Sequence, residues 1–397
     1  MSANIDRCSE VLLGLLSNTL FDKKVSVSFD DIDLNALFED AKKQTVVAQA
    51  FQSLPKEARS KNNAVYDTWQ ARTFSIAQKY YAQLYANIEL DKLLTKENVP
   101  HCTLKGFASA YYYAKPDLRQ MGDIDFLVSQ KDVKRTETLL ESLGYVNIHV
   151  NDLHEFHIAF TKNKILYEMH TNIVEDKDAG LVNDAFIQTI ISDTQEAQTD
   201  FGALRIPNKV AHAVIMLLHM RRHMRDGDGV GLRHFADWAV LANTITDDEW
   251  AESFVPTLSK LKIKNMAIVF SKTAEIFLGM PSKAWFAECD KKYANLLISD
   301  ITKGGNFGRK EPERYKQALF IDGRNNRLVS LWHHVCNNVY CWKPFFQKYK
   351  FFLPLGVIIY VFRTAFLVAI GKRYCFSKED VKRGTERGEL YNKIFNE

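Results

Sequence analysis

The sequence has little cysteine: six residues in 397 (Cys8, Cys102, Cys289, Cys336, Cys341 and Cys375), none of them in a C-x-x-C pair. Thiols scattered this way argue against a disulfide framework or a zinc cage and favour a reducing compartment. The chain also lacks internal repeats and low-complexity segments. The segment Met1–Leu20 lacks a basic n-region and carries Asp6 and Glu10, so it reads as an amphipathic helix rather than a signal peptide. A clean transmembrane run is missing as well. Residues 351–370 are nearly all apolar, but Arg363 interrupts them, and Pro354 and Gly356 weaken the first turn. About 20 apolar residues can span a bilayer, yet a central Arg costs about 2.5–3.5 kcal/mol. Both flanks are basic (Lys348, Lys350; Lys372, Arg373), so no orientation is encoded. An interfacial helix, or one packed on the protein, is favoured over a span.

What is present is a globular composition, 46% apolar and 25% charged, with chain enough for two or three domains. The net charge of +4 hides an asymmetry: residues 301–397 hold 18 Lys and Arg against 8 Asp and Glu, leaving the first 300 net acidic. A basic end suggests an anionic partner. No separate basic domain with interleaved aromatics precedes the acidic portion, so a nucleic-acid partner is disfavoured.

Residues 1–94 read as helical, with Ala64–Leu94, free of Gly and Pro, as one long helix. A strand over 101–104 follows, then a helix over 107–114, a strand over 123–128, and a helix over 130–143 closed by Gly144. A hairpin of 157–161 and 165–173 comes next. This β-α-β-α-β-β order is a compact α+β unit with a mixed sheet. From Pro207 the chain is helical again, with 210–225 and 232–242 flanking the turn 226–231.

Chemistry concentrates in Met121-Gly-Asp-Ile-Asp-Phe-Leu-Val128. On a strand, Asp123 and Asp125 share one face while Ile124, Phe126 and Val128 face a core. Two adjacent carboxylates raise each other's pKa unless a cation joins them, and the reading is a two-metal site holding a triphosphate. In Ile165-Leu-Tyr-Glu-Met-His-Thr171, Glu168 and His170 share one strand face; beside the Asp123 strand, Glu168 completes an acidic triad as metal ligand or proton acceptor. Lys105-Gly106, at a strand end, and Arg119 are phosphate-binding candidates.

Other clusters point less sharply. His212, His219 and His223 lie on one helical face; His219 and His223 have zinc-pair spacing but lack the Glu of H-E-x-x-H and a third ligand, so packing against the catalytic unit is expected, with His219, His223 and Arg233 near a nucleotide. The 226–231 turn has Val230 at calcium-loop position 5 and no bidentate Glu, and reads as a mobile cleft-side turn. His154 and His157 read as strand-edge residues, and Tyr111–Tyr113 as core with one ring free for stacking. The Gly304–Gly308 loop is a candidate for phosphate contact through backbone N–H groups or an ordinary turn.

These residues resemble the DNA polymerase beta-like nucleotidyltransferase superfamily over about residues 98–175: a strand-end glycine (Gly106), an acid-x-acid strand (Asp123, Asp125) and a later acid (Glu168). More narrowly, Leu104-Lys-Gly106, Arg119-x-Met-Gly-Asp-Ile-Asp-Phe-Leu127, Glu168-x-His170, Leu232-Arg-x-x-x-Asp-Trp238 and Gly305-Asn-Phe-Gly308 look like the family of uncharacterised nucleotidyltransferases. The sequence departs from the superfamily in having Phe107 where Ser or Gly usually follows the glycine, and a longer gap to Asp123; Lys105 is then expected to take the place of a hydroxyl contact to phosphate.

The resemblance implies a small mixed-sheet nucleotidyltransferase domain (95–206) between helical regions (1–94 and 207–302) and a basic C-terminal region (303–397), mostly α overall. It implies transfer of a nucleotidyl group from a nucleoside triphosphate, ATP first among them, to a hydroxyl of a small-molecule, glycan or protein acceptor, with release of pyrophosphate. Asp123, Asp125 and Glu168 would bind Mg²⁺ or Mn²⁺, and Lys105, Gly106, Arg119 and His170 the nucleotide. A bacterial, cytoplasmic protein is expected, peripheral to the inner membrane face through 343–375. The alternative is a catalytically silent nucleotide-binding or membrane-associated accessory protein of a surface-glycan pathway.

Overall fold

The computed structural model describes residues 5–26, 28–148, 157–174, 182–226, 229–311, 314, 332, 335–336, 338–340, 342–370 and 378–395. The protein is α+β and mostly helical, with one small mixed sheet and a separate hairpin.

Helices α1 (Arg7–Phe21), α2 (Leu34–Gln44) and α3 (Val47–Gln52) precede α4 (Asn63–Lys96), whose first turn is capped by the Asn62 side chain accepting from Val65 N–H. Its 34 residues carry no Gly or Pro to break them, and at 1.5 Å per residue they extend about 50 Å. That length lets one helix serve two cores. Tyr66, Trp69 and Ile76 enter the larger helical core, whereas Tyr80, Leu84, Ile88, Leu90 and Leu94 enter the core under the sheet.

Strands β1 (His101–Thr103), β2 (Ile124–Val128), β3 (Val146–Ile148), β4 (His157–Lys162) and β5 (Ile165–His170) form a sheet in the order β1-β2-β5-β4-β3. Only the central pair, β2 with β5, is parallel; β1 and β4 flank it antiparallel, and β3 pairs antiparallel to β4 at the edge. Register sets opposite chemistries on the two faces. Ile124, Phe126, Val128, Tyr167 and Met169 point into one core with α4. The other face carries the polar residues, then turns apolar at Leu127, which packs into the helical core with Ile187, Ile190 and Ile191 of α7 (Asp184–Ser192).

Helix α5 (Lys105–Ala110) follows β1 directly, and α6 (Val133–Ser142) connects β2 to β3. Strands β6 (Thr194–Thr199) and β7 (Gly202–Pro207) form a hairpin tied to α4 by Arg205, whose N–H and Nη1 donate to the two Asp91 carboxylate oxygens, both at 3.0 Å. The helices α8 (Lys209–Asp226), α9 (Leu232–Asn243), α10 (Lys264–Leu278) and α11 (Lys291–Gly304) build the helical core. Beyond them lies α12 (Leu353–Ala369), and α13 (Lys378–Phe395) returns to that core through Leu390, Tyr391 and Ile394.

Several boundaries differ from the sequence reading. The helix expected over 107–114 is α5, ending at Ala110, beyond which Tyr112 stacks on His212 of α8 and Tyr113 bonds to Asp237 of α9. The second hairpin strand ends at His170 rather than 173. Strand β3, helix α7 and the β6–β7 hairpin were not expected. His154, residues 227–228 of the turn, and 371–375 with Lys372 and Arg373 lie outside the described residues.

Candidate active site

Asp125 and Glu168 are directly paired across the parallel β2–β5 ladder, and His170 stands two residues along on the same face. Asp123 is the residue before β2, half-buried, on the same side. Asp125 is the hub. Its Oδ1 accepts from Lys105 Nζ at 2.8 Å and lies 2.7 Å from His170 Nε2, which is itself 3.5 Å from Glu168 Oε2. Asp125, Glu168 and His170 thus bring ligand atoms within 4.8 Å of one another, the one such grouping among the described residues. His157, first in β4, places Nε2 3.8 Å from Glu168 Oε1.

The electrostatics of this cluster follow from burial and crowding. Burial, then the negative charges of Asp125 and Glu168, push the Asp123 carboxyl up to about 6. Burial acts the same way on Asp125, but Lys105 and the His170 hydrogen bond outweigh it and hold that carboxyl below the usual carboxylate range. Glu168 is held below its ordinary value against burial, mainly by His170. Burial opposes the Lys105 charge, yet Asp125 keeps its ammonium above the ordinary value. Among the described residues Lys105 is the lysine or arginine that bonds directly to this group of three carboxylates, and a further cation would relieve the repulsion that Asp123 registers. The donors are mostly hard oxygens, which suit Mg²⁺ or Mn²⁺.

The cluster forms the floor of a cleft of about 510 Å³ lined by Lys105, Gly106, Arg119, Asp123, Asp125 and Glu168, a volume within the range of small-ligand sites. Lys105 itself has φ +41°, a left-handed conformation that costs a side-chain-bearing residue about 1–3 kcal/mol. A Cβ on Gly106 would come to 3.4 Å from Met121 Cε, 3.7 Å from Arg119 Nη1 and 3.9 Å from the Asp123 carbonyl, so the absent side chain keeps this wall open.

Arg119 is placed differently from a freely reaching clamp. Its Nε and Nη2 donate to Asp237 Oδ1 and Oδ2 at 2.8 and 2.7 Å, while Nη1 lies 3.2 Å from Met121 Sδ. Asp237 Oδ1 also accepts from Tyr113 Oη at 2.7 Å. Arg119 thus lines the cleft with its fork already held by α9.

The histidines of α8 divide between packing and the cleft. His212 is fully buried, 3.3 Å from Ser109 Oγ and stacked on Tyr112, which fixes α8 against α5. His219, His223 and Arg233 line the cleft, with His234, Phe307, Lys79, Arg222 and Arg309. Burial pushes the His219 and His234 imidazoles well below their ordinary value, so they are neutral near pH 7. Sequence reasoning missed Lys79 and Gln83, which hold the backbone entering β2: Lys79 Nζ donates to the Met121 and Gly122 carbonyls at 3.2 and 3.1 Å, and Gln83 Nε2 to Gly122 at 2.8 Å. Their only signal is their place on one face of α4, four residues apart.

A family model described as uncharacterised nucleotidyltransferase matches residues 30–279. The chain belongs to that family. The match contains every residue of the carboxylate cluster and its Asp237 support, and ends before the Gly305–Gly308 loop and α12. A search of curated proteins finds no match. As a nucleotidyltransferase-family member the protein has transfer of a nucleotidyl group from a nucleoside triphosphate as its general activity, and among the described residues the carboxylate cluster is the grouping with the donors a divalent metal needs.

Proposed function

We propose that this nucleotidyltransferase-family protein transfers the nucleoside monophosphate group of ATP to a hydroxyl acceptor in the 510 Å³ cleft. The observation that carries the reading is the Asp125–Glu168 pairing across β2 and β5 with Asp123 beside it. Asp123, Asp125 and Glu168 would hold Mg²⁺, which supplies charge neutralisation of the phosphates and of the developing oxyanions. Lys105, Lys79, Arg222, Arg233 and Arg309 give the same cleft the cations that bind a triphosphate. In the reaction the acceptor oxygen attacks the α-phosphorus, the bond to the β-phosphate bridging oxygen breaks, and pyrophosphate leaves. Glu168, held ionised by His170, takes the hydroxyl proton. His170 orients both carboxylates and Gly106 leaves room for phosphate.

The test is transfer from α-labelled nucleoside triphosphates in Mg²⁺. Asp125→Ala should abolish label transfer while circular dichroism shows an unchanged fold; retained transfer would sink the mechanism. Nucleotide binding without any turnover by the native chain, across acceptor extracts, would favour the accessory reading instead.

A membrane-side location is supported by α12. Within residues 350–369, an 18-residue stretch has a mean hydropathy of 2.1, yet only 11% of that stretch is buried. Phe351, Leu355, Ile358, Phe362 and Phe366 form one outward stripe at helical spacing, and all are exposed. Gly356 and Tyr360 face inward with Val339 and Phe346, and Arg363 lies 5.2 Å from the Trp342 ring, off the stripe. With Lys348 and Lys350 at its start, α12 has the features of an interfacial helix on an anionic membrane.

A further inference from the structure

The loop Gly305–Gly308 brings to the cleft a wall whose chemistry the transfer reaction leaves unused. Phe307 has φ +54° between Gly305 at +70° and Gly308 at +69°. Holding a phenylalanine in the left-handed region costs about 1–3 kcal/mol, and here the cost does not serve burial, since the ring is 38% exposed into the cleft. Its position is nonetheless fixed: His223 and His234 rings lie 4.6 and 5.2 Å away, and the Arg233 guanidinium is 5.8 Å from its centroid. The loop is also pressed onto α9, because a Cβ on Gly231 would fall 2.6 Å from the Asn306 backbone.

Asn306 supplies a second, independent observation. Its side chain is fully buried and lines the cleft, yet neither Oδ1 nor Nδ2 has a hydrogen-bond partner among the described residues. The neighbouring His234, 6% exposed, leaves Nδ1 equally unpartnered. An unpaired buried amide costs its full desolvation, so the site calls for a ligand with an adjacent donor and acceptor. A flat ring that offers one face to Phe307 and such an edge to Asn306 is a nucleobase.

We propose that Phe307 and Asn306 form the nucleobase subsite of the cleft: the base stacks on the Phe307 ring and its edge pairs with the Asn306 amide. The inference rests on reading the cleft as a nucleoside triphosphate site and adds to it the part of the substrate that the carboxylates do not touch. It also assigns substrate recognition to a loop beyond the family match, which ends at residue 279.

The experiment is calorimetric binding of ATP, GTP, CTP, UTP and inorganic tripolyphosphate, each with Mg²⁺, to the full chain and its variants. Phe307→Leu keeps the apolar bulk and removes the flat face. It should weaken the best-bound nucleotide roughly 5- to 150-fold, the range expected for one stacked base, and leave tripolyphosphate unchanged, while Phe307→Tyr keeps nucleotide affinity. Asn306→Asp, which exchanges the amide donor for an acceptor, should reorder the four nucleotides. Phe307→Trp gives a second readout: its added indole emission is quenched by nucleotide and not by tripolyphosphate. Unchanged nucleotide affinity in Phe307→Leu, or an equal loss for tripolyphosphate, overturns the subsite alone. So does an added indole emission in Phe307→Trp that does not respond to nucleotide. A native chain that binds none of the four nucleotides overturns the transferase reading as well.

Discussion

Arg119 and Asp237 meet in a two-pronged ion pair, 118 residues apart in sequence, with both side chains only 5% exposed. The pair ties the segment entering β2 to α9 and so couples the carboxylate strand to the helical wall of the cleft. Its geometry is the planar fork-on-carboxylate match that lysine cannot reproduce.

Removing one partner leaves the other charge buried. Asp237→Ala should therefore lower stability by about 3–5 kcal/mol, read from the midpoint of urea denaturation. The double variant Arg119→Met with Asp237→Leu should recover most of that loss, since the desolvation penalty disappears with both charges. A double variant as unstable as Asp237→Ala would show that the pair does not govern the interface.

Asp123 makes the metal-free protein sensitive to pH. Its carboxyl stands at about 6 in the folded protein, above the ordinary Asp value of about 3.9, so the folded state takes up a proton that the unfolded state does not. The stability from that proton is complete below about pH 4 and is lost as pH rises through about 6. Asp125 and Glu168 are displaced downward; their contribution is present above the ordinary carboxylate range and is lost only below it. Burial of the neutral His219 and His234 removes stability from every variant as pH falls below their ordinary value, so the Asp123 contribution is read by difference: in EDTA, the Tm of the native chain relative to Asp123→Asn should rise as pH falls from about 7 to about 5. Mg²⁺ should raise Tm more at the higher pH than at the lower, because protonated Asp123 competes with the ion.

The contact between Gly231 and Asn306 predicts a loss through crowding. Gly231 has an ordinary extended backbone, so the constraint there is space and not conformation. Gly231→Ala should destabilise by about 1–3 kcal/mol and weaken nucleotide binding while leaving tripolyphosphate binding intact, because the displaced group is the Asn306–Phe307 loop. Thermal unfolding and calorimetry on the same sample check both.

Much of this arrangement was legible in the sequence where chemistry and periodicity coincide. Asp123-Ile-Asp125 and Glu168-Met-His170 carry alternation strong enough to define strands, faces and their shared polar side, and α4 is written in 34 residues without a helix breaker. The β6–β7 hairpin escaped because β6 reads Thr-Gln-Glu-Ala-Gln-Thr, with only Ala197 fully buried, so apolar alternation gives no signal. Strand β3 is three residues long and at the sheet edge. Helix α7 did carry a signal, an Asn183 cap followed by Phe186, Ile187, Ile190 and Ile191 at helical spacing. The sequence showed the charge of Arg119, which lines the cleft, but not its ion pair with Asp237, which was visible only as part of a motif. The Phe307 wall depends on a tertiary meeting of α8, α9 and a distant loop, which no local pattern encodes.

The exposed stripe of α12 makes the last prediction. Phe362 and Phe366 are 73% and 64% exposed and lie one turn apart, so Phe362→Asp with Phe366→Asp places two carboxylates on the exposed stripe without touching Tyr360 or Phe346. The native chain should co-sediment with vesicles containing anionic lipid and less with neutral ones, and the binding should fall with salt through Lys348, Lys350 and Arg363. The double variant should remain in the supernatant with unchanged Tm, and its nucleotide binding should be unaltered because α12 contributes no residue to the cleft. Equal sedimentation of native and variant chains would mean that α12 is not the membrane contact. Loss of stability in the variant would mean that the stripe is covered by protein rather than lipid.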